Sequence, residues 1–331
     1  MLLVAVLVFV YALVSTVLLG GATWNTLFAP DMMWTGALSL MAIMLIAWLA
    51  APRLDWQTVK LFFCFMAGTA LLSLLYGAPE ILEGGRLGGL VAQPNVLAIM
   101  LGSGLIAGLY TKEPMRIGWR FFGVLSITLA IFLTQTRGVI VMVPLIVMPF
   151  AFMHTTIKRQ YLVGLATLIV VISCIAAPRL ANIDRLTYGV TYRYDLASYS
   201  TRYLQVMPPW GFGPGGLSNV VGEFYELPPS LEATILVDQK TPESSHIIFI
   251  DRFIEYGWLG GVSYLVVVGL FIAQAYKKRQ DDLVKVLAAI GLFVLVQQMI
   301  TVPRFHTELI AWVTMLGAIL YRPTKSETRD V

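Results

Sequence analysis

His246 is the residue best suited to proton chemistry in this chain. It follows a polar lead-in, Thr241-Pro242-Glu243-Ser244-Ser245, and opens a helix-like run from Ile247 to Tyr264. Imidazole titrates near neutral pH and suits a general base; a capping or solvated histidine is the bland alternative. His154, beside Lys158, and His306, in a short turn, lack that lead-in. Cations for an anionic substrate are Arg137, within Thr134-Gln135-Thr136-Arg137-Gly138 between two apolar runs, and Arg202, just ahead of a Pro/Gly turn from Pro208 to Gly216. Arg86 is a third. A guanidinium lodged where helices meet needs an anion. That anion is either a carboxylate such as Glu80 or Glu83, or a phosphate held by the planar fork of donors. Asn95, in Gln93-Pro94-Asn95, reads as the cap of the helix that follows. Arg252 and Glu255, three apart, can pair on one helix face.

These residues sit in a chain that is 58% hydrophobic and only 13% charged, with a mean hydropathy of +0.77. Too few polar residues remain to cover a soluble globule. An apolar run of about 20 residues crosses the hydrocarbon core as a helix, and roughly ten such runs can be counted. They fall near 2–20, 33–51, 60–77, 94–111, 119–135, 138–153, 160–178, 246–275, 283–301 and 307–321. The expected fold is therefore all-α, a polytopic transmembrane helix bundle forming one integral-membrane domain over residues 1–331. A long loop, 179–245, interrupts it. The first residues lack the basic stretch of a cleaved signal peptide, so the first span is expected to be retained.

Loop charge gives the sidedness. Alternate connections carry Arg53 and Lys60; Lys112, Arg116 and Arg120; Lys158 and Arg159; and Lys277, Lys278 and Arg279, with Arg322, Lys325 and Arg329 in the tail. On this reading both termini are cytoplasmic, and the 179–245 loop is periplasmic. Its aromatics (Tyr188, Tyr192, Tyr194, Tyr199, Tyr203, Trp210) suit either an interfacial belt or stacking on sugar rings. From Gly257 to Tyr276 the chain is apolar enough to span unaided. That leaves His246 about 11 residues, or roughly 16 Å of helix, further out, at the outer interface.

Several chemistries lack their residues. No His/Cys/carboxylate set has zinc spacing and no HExxH occurs; no Gly-x-Ser-x-Gly elbow is present. Gly211-Phe212-Gly213-Pro214-Gly215 lacks the Lys-Ser/Thr of a phosphate-binding loop and reads as tight turns. Cys64 and Cys174 lie in apolar runs and read as packing residues rather than a disulfide. The net charge of +4 reflects topology and does not imply nucleic acid binding.

Taken in order, four segments resemble the bacterial O-antigen ligase and O-antigen polymerase superfamily, integral-membrane glycosyltransferases of the GT-C type. They are Pro94-Asn95-Val96-Leu97-Ala98; Thr134-Gln135-Thr136-Arg137-Gly138; Thr201-Arg202-Tyr203 leading into Gly211-Phe212-Gly213-Pro214-Gly215; and His246 followed by Glu255-Tyr256-Gly257-Trp258-Leu259-Gly260. The resemblance implies transfer of a glycan from a polyprenyl diphosphate carrier to an acceptor on the periplasmic side of the inner membrane. The acceptor is a lipid-linked repeat unit or lipid A-core, and the reaction is inverting, with no metal or other cofactor. Arg137 and Arg202 would hold the diphosphate and His246 would take the acceptor's proton, with Arg86, Asn95, Glu255 and Tyr203 in support. Ligases of this family usually follow the histidine with Asn, Ser or Gln; Ile247 stands there, which favours polymerase over ligase. The family also commonly has a leading pair of spans that this count lacks. A lipid-linked sugar transporter or flippase, or a non-catalytic membrane scaffold, are the readings from other classes.

Overall fold

The computed structural model describes residues 2–19, 37–91, 93–143, 183–229, 231–232, 244–302 and 304–321. The expected span at 160–178, most of that at 138–153, Cys174, His154, the Lys158–Arg159 loop and the basic tail lie outside them. Among the described residues the chain is helical, with no strand. The α-helices are α1 (Leu2–Leu19), α2 (Ala37–Ala50), α3 (Trp56–Tyr76), α4 (Ala78–Leu82), α5 (Pro94–Tyr110), α6 (Ile117–Leu133), α7 (Ile183–Tyr203), α8 (Gly216–Val220), α9 (Ile248–Lys277), α10 (Asp282–Gln298) and α11 (Phe305–Leu320). A further helix begins at 137. Eight of the expected apolar runs coincide with α1, α2, α3, α5, α6, α9, α10 and α11. Two of these, α3 and α9, are long and apolar enough to cross a membrane by length and composition. Large hydrophobic side chains such as Phe65, Leu75, Trp119 and Phe121 face outward. Together these features suggest a membrane protein.

The chain forms two compact units, Trp56–Val190 and Met1–Asp55 with Thr191–Val331. In the first, α3, α5 and α6 pack on one another. Small residues permit their approach: a Cβ at Gly104 would strike Met66, and one at Gly108 or Gly123 would strike Phe63. Without a hydrophobic drive between helices in lipid, such close backbone packing is a main source of association.

In the second unit α9 packs against α1 and α11, and α11 against α2 and α10. Its centre is aromatic: Phe9 meets the rings of Tyr256, Tyr264 and Trp312 at centroid distances of 5.8, 6.4 and 5.6 Å. Within α9 the helical path breaks at Gly257, where φ is 67° and ψ −172°. The sequence reading drew one continuous helix here. The break frees carbonyls that would otherwise be used inside the helix, and the glycine turn takes them: Phe212 N donates to Ile254 O at 2.8 Å, and Gly213 N to Glu255 O at 3.0 Å. A Cβ on Gly257 would collide with Pro209 O, and one on Gly211 with Glu255 O.

Candidate functional site

The arginine cluster of the first unit is built where α6 ends. Thr134 caps α6, Gln135 turns the chain through a left-handed φ of 53°, and the next helix starts at 137. Arg86 reaches into this turn. Its Nε donates to Thr134 O at 2.9 Å, and its Nη2 donates to Asn95 Oδ1 at 2.9 Å and to Thr136 Oγ1 at 3.3 Å. The Thr136 hydroxyl lies 3.2 Å from Asn95 Oδ1. Asn95 is therefore not the helix cap that its position suggested. Gln93 is the cap residue and Pro94 takes the first helical position. A proline there lacks only an N–H that would have gone unused, and Asn95 is left free to face Arg86.

Arg137 is half-buried and makes no ion pair among the described residues, so neither Glu80 nor Glu83 neutralises it. Glu80 instead accepts from Gly88 N at 3.3 Å. Burial, and then the positive charge of Arg137, lower the pKa of Arg86. Two guanidiniums thus stand near one another at a helix N-terminus, and all three of Arg86's acceptors are uncharged. Two cations so placed suit an anionic group.

In the second unit His246 sits just ahead of α9, with a left-handed φ of 60°. Its amide donates to Ser244 Oγ at 2.9 Å, and its ring meets the Tyr192 ring at 6.5 Å, nearly edge-on. Nδ1 is buried with no partner among the described residues. Burial, and secondly the charge of Arg193, lower its pKa to about 4, so the imidazole is neutral at physiological pH. Arg193 is the cation of α7 beside His246, and sequence reasoning passed it over; the only signal was its place between two loop tyrosines. Arg202 lies nine residues further along α7, roughly 13 Å of helical rise. It is exposed, and its guanidinium has no partner among the described residues.

Tyr203 is a core residue. It is fully buried, its hydroxyl donates to Val220 O at 2.8 Å, and the Tyr199 hydroxyl lies 2.8 Å away. Glu255 is likewise occupied: Oε1 accepts from Gly215 N at 3.1 Å and Oε2 from Arg252 at 2.8 Å, the expected pair. Arg252 also donates to Glu308 at 2.6 Å, and Glu308 accepts from Gln298 and Trp312, each at 3.1 Å. Glu255 thereby ties the glycine turn to the interior of α9. Among the described residues no set of His, Cys, Asp and Glu is grouped for a metal.

Residues 121–265 match the family model described as O-antigen ligase. That segment is similar to an O-antigen ligase domain. This supports the O-antigen ligase and polymerase superfamily and a role in lipopolysaccharide or polysaccharide biosynthesis. The domain covers less than half of the chain. It contains Arg137, Arg202, Tyr203, His246 and Glu255, whereas Arg86 and Asn95 precede it. No curated protein and no solved structure matches the chain.

Proposed function

We propose that the chain is an inner-membrane glycosyltransferase. It moves a glycan from a polyprenyl diphosphate carrier to an acceptor sugar at the periplasmic face, with inversion and without a metal. The single observation that carries the reading is His246: a neutral imidazole on a left-handed backbone, its buried Nδ1 unpartnered among the described residues, inside the segment that matches the O-antigen ligase model. The acceptor hydroxyl attacks the anomeric carbon, the bond to the carrier's diphosphate oxygen breaks, and the hydroxyl proton passes to His246. Such a base is worth about 10²–10⁴-fold. The departing diphosphate gathers negative charge, which the guanidiniums of Arg137 and Arg202 meet. Arg86, held by Asn95 and Thr136, adds charge beside Arg137. Tyr203 and Glu255 support the site through the fold, since their polar atoms are already bonded.

Both termini lie in the cytoplasm on this reading, about ten helices span the bilayer, and 179–245 is the periplasmic excursion of one integral domain. Ile247 after the histidine favours a polysaccharide polymerase; the alternative is a lipid A-core O-antigen ligase. A lipopolysaccharide gel of a deletion strain separates them. Single-repeat capped product marks a lost polymerase, and bare core with accumulating carrier-linked chains marks a lost ligase. Normal glycan in a strain carrying His246→Ala at wild-type protein level would end both. One observation favours a lipid-linked sugar flippase instead: Gln297 in α10 is buried with its amide unpartnered among the described residues. Polar groups inside the bundle are what a transport path needs, and a deletion strain retaining carrier-linked glycan only on the cytoplasmic leaflet would support it.

A further inference from the structure

Both carboxylate oxygens of Asp251 go to the two serines that precede His246. Ser244 Oγ donates to Oδ2 at 2.6 Å, and Ser245 N donates to Oδ1 at 2.7 Å. Ser244 Oγ in turn accepts from the amide of His246 at 2.9 Å, and Ser245 Oγ accepts from that of Ile247 at 3.1 Å. Asp251 is 3% exposed and lies in the first turn of α9, where free amides and the helix dipole favour an anion. The adjacent Arg252 donates elsewhere, to Glu255 and Glu308. A buried carboxylate is costly unless its bonds are made, and the bonds made here all serve one short segment.

That segment holds a strained residue. A left-handed φ is disfavoured for any side chain bearing a Cβ and persists only when its surroundings over-determine it. Among the described residues the ring itself has little to orient it. In a catalytic triad a carboxylate accepts from the far nitrogen of the histidine and fixes its direction. Here Nδ1 has no such acceptor among the described residues, and the Tyr192 ring offers only an edge contact. The direction of the imidazole must therefore come from the backbone that carries it.

We propose that Asp251 is a positioning residue: by clamping Ser244 and Ser245 it holds His246 in the left-handed conformation that aims its imidazole at the acceptor hydroxyl. The proposal rests on the reading of His246 as the base. Its sequence signal is a carboxylate five positions after the histidine, on the first turn of the helix that the histidine precedes.

The test uses the full chain in lipid nanodiscs, with histidine labelled by ¹⁵N in the ring. There are 3 histidines, and the His246 signals are those lost in His246→Ala. Asp251→Ala and Ser244→Ala are expected to shift or broaden the His246 signals while the other two histidines keep theirs. In deletion-strain membranes, which supply their own lipid-linked glycan and acceptor, both variants should lower the transfer rate at saturating donor by about 10–10²-fold with little change in donor KM. Asp251→Asn, which can still accept from Ser245 N, should recover part of that loss. Unchanged His246 signals in both variants, or a loss confined to KM, would overturn the proposal. If Asp251→Ala does not fold, Ser244→Ala decides it alone, since it removes one hydroxyl from a loop. Wild-type transfer by His246→Ala would remove the base reading, while displaced His246 signals in the Asp251 variants would still establish the clamp.

Discussion

Arg86 Nη2 donates to Asn95 Oδ1 across 2.9 Å, so an arginine that feels the charge of Arg137 is fixed by a neutral acceptor and keeps its whole charge. A carboxylate in the same place would fix it equally well and cancel that charge. Asn95→Asp should therefore harm donor binding more than Asn95→Ala, which only loosens Arg86. The donor KM in washed membranes should rise several-fold for Ala and by about tenfold or more for Asp, the latter about 1.4 kcal/mol or more relative to the wild type. An Asp variant as good as wild type would mean that no anion is bound beside Arg86.

Gly257 lets the turn at Pro209 and Gly211 lie against the open step of α9. Gly257→Ala puts a Cβ into Pro209 O and forces a side chain onto a backbone conformation, φ 67° and ψ −172°, that is essentially reserved for glycine, at a cost of about 1–3 kcal/mol. The expected result is loss of folded protein, seen as a collapsed monodisperse peak in fluorescence-detected size exclusion. Gly269→Ala, at a site with open space around the added carbon, should leave the peak unchanged.

The sequence made the helices readable because their apolar runs are long and their ends are marked by charged or Pro/Gly turns. His246 and Arg137 were visible for the same reason: a polar side chain stands out at the edge of an apolar run. The partners of these residues were not visible. Arg86 meets Asn95 and Thr136 across 9 and 50 residues of chain, and Arg252 meets Glu308 across 56; no local pattern encodes such pairings. Asn95 read as a cap because that role is common at helix starts, yet Pro94 had already taken the first position. Tyr203 read as either an interfacial aromatic or a sugar-stacking one because its loop is polar. Its burial depends on Tyr199, Val220 and Tyr225 folding back over it, which composition does not reveal.

Arg252, Glu255 and Glu308 form a buried charge triad whose members rely on each other. Removing Arg252 leaves two buried carboxylates without a counter-ion, an effect of about 3–5 kcal/mol for a buried pair. Arg252→Met should therefore lower the unfolding temperature of the detergent-solubilised protein strongly, and Glu308→Ala, which leaves Arg252 paired with Glu255, by less. Replacing Arg252, Glu255 and Glu308 together by Met, Gln and Leu should recover most of the Arg252→Met loss, because desolvation of the ions disappears with them. A triple variant no more stable than Arg252→Met would show that the triad contributes more than charge balance.

His246 gives a pH dependence of definite sign. Its pKa is about 4 in the folded chain, against about 6.5 for an unperturbed histidine. Between those values the unfolded chain binds a proton that the folded chain does not, so this residue makes stability rise with pH across that window and adds no slope above it. His246→Gln should remove that part of the slope in unfolding temperature measured from pH 4.5 to 7. For transfer, kcat/KM reports the free enzyme, and it should stay level from pH 8 to about 5 rather than halving near 6.5. Binding of an anionic donor offsets the Arg193 charge that helps depress the pKa, so the acid limb of kcat should lie at higher pH than that of kcat/KM. Coincident limbs would mean that the diphosphate binds too far away for His246 to sense it, and a limb near 6.5 in kcat/KM would place the imidazole in water rather than in its buried seat.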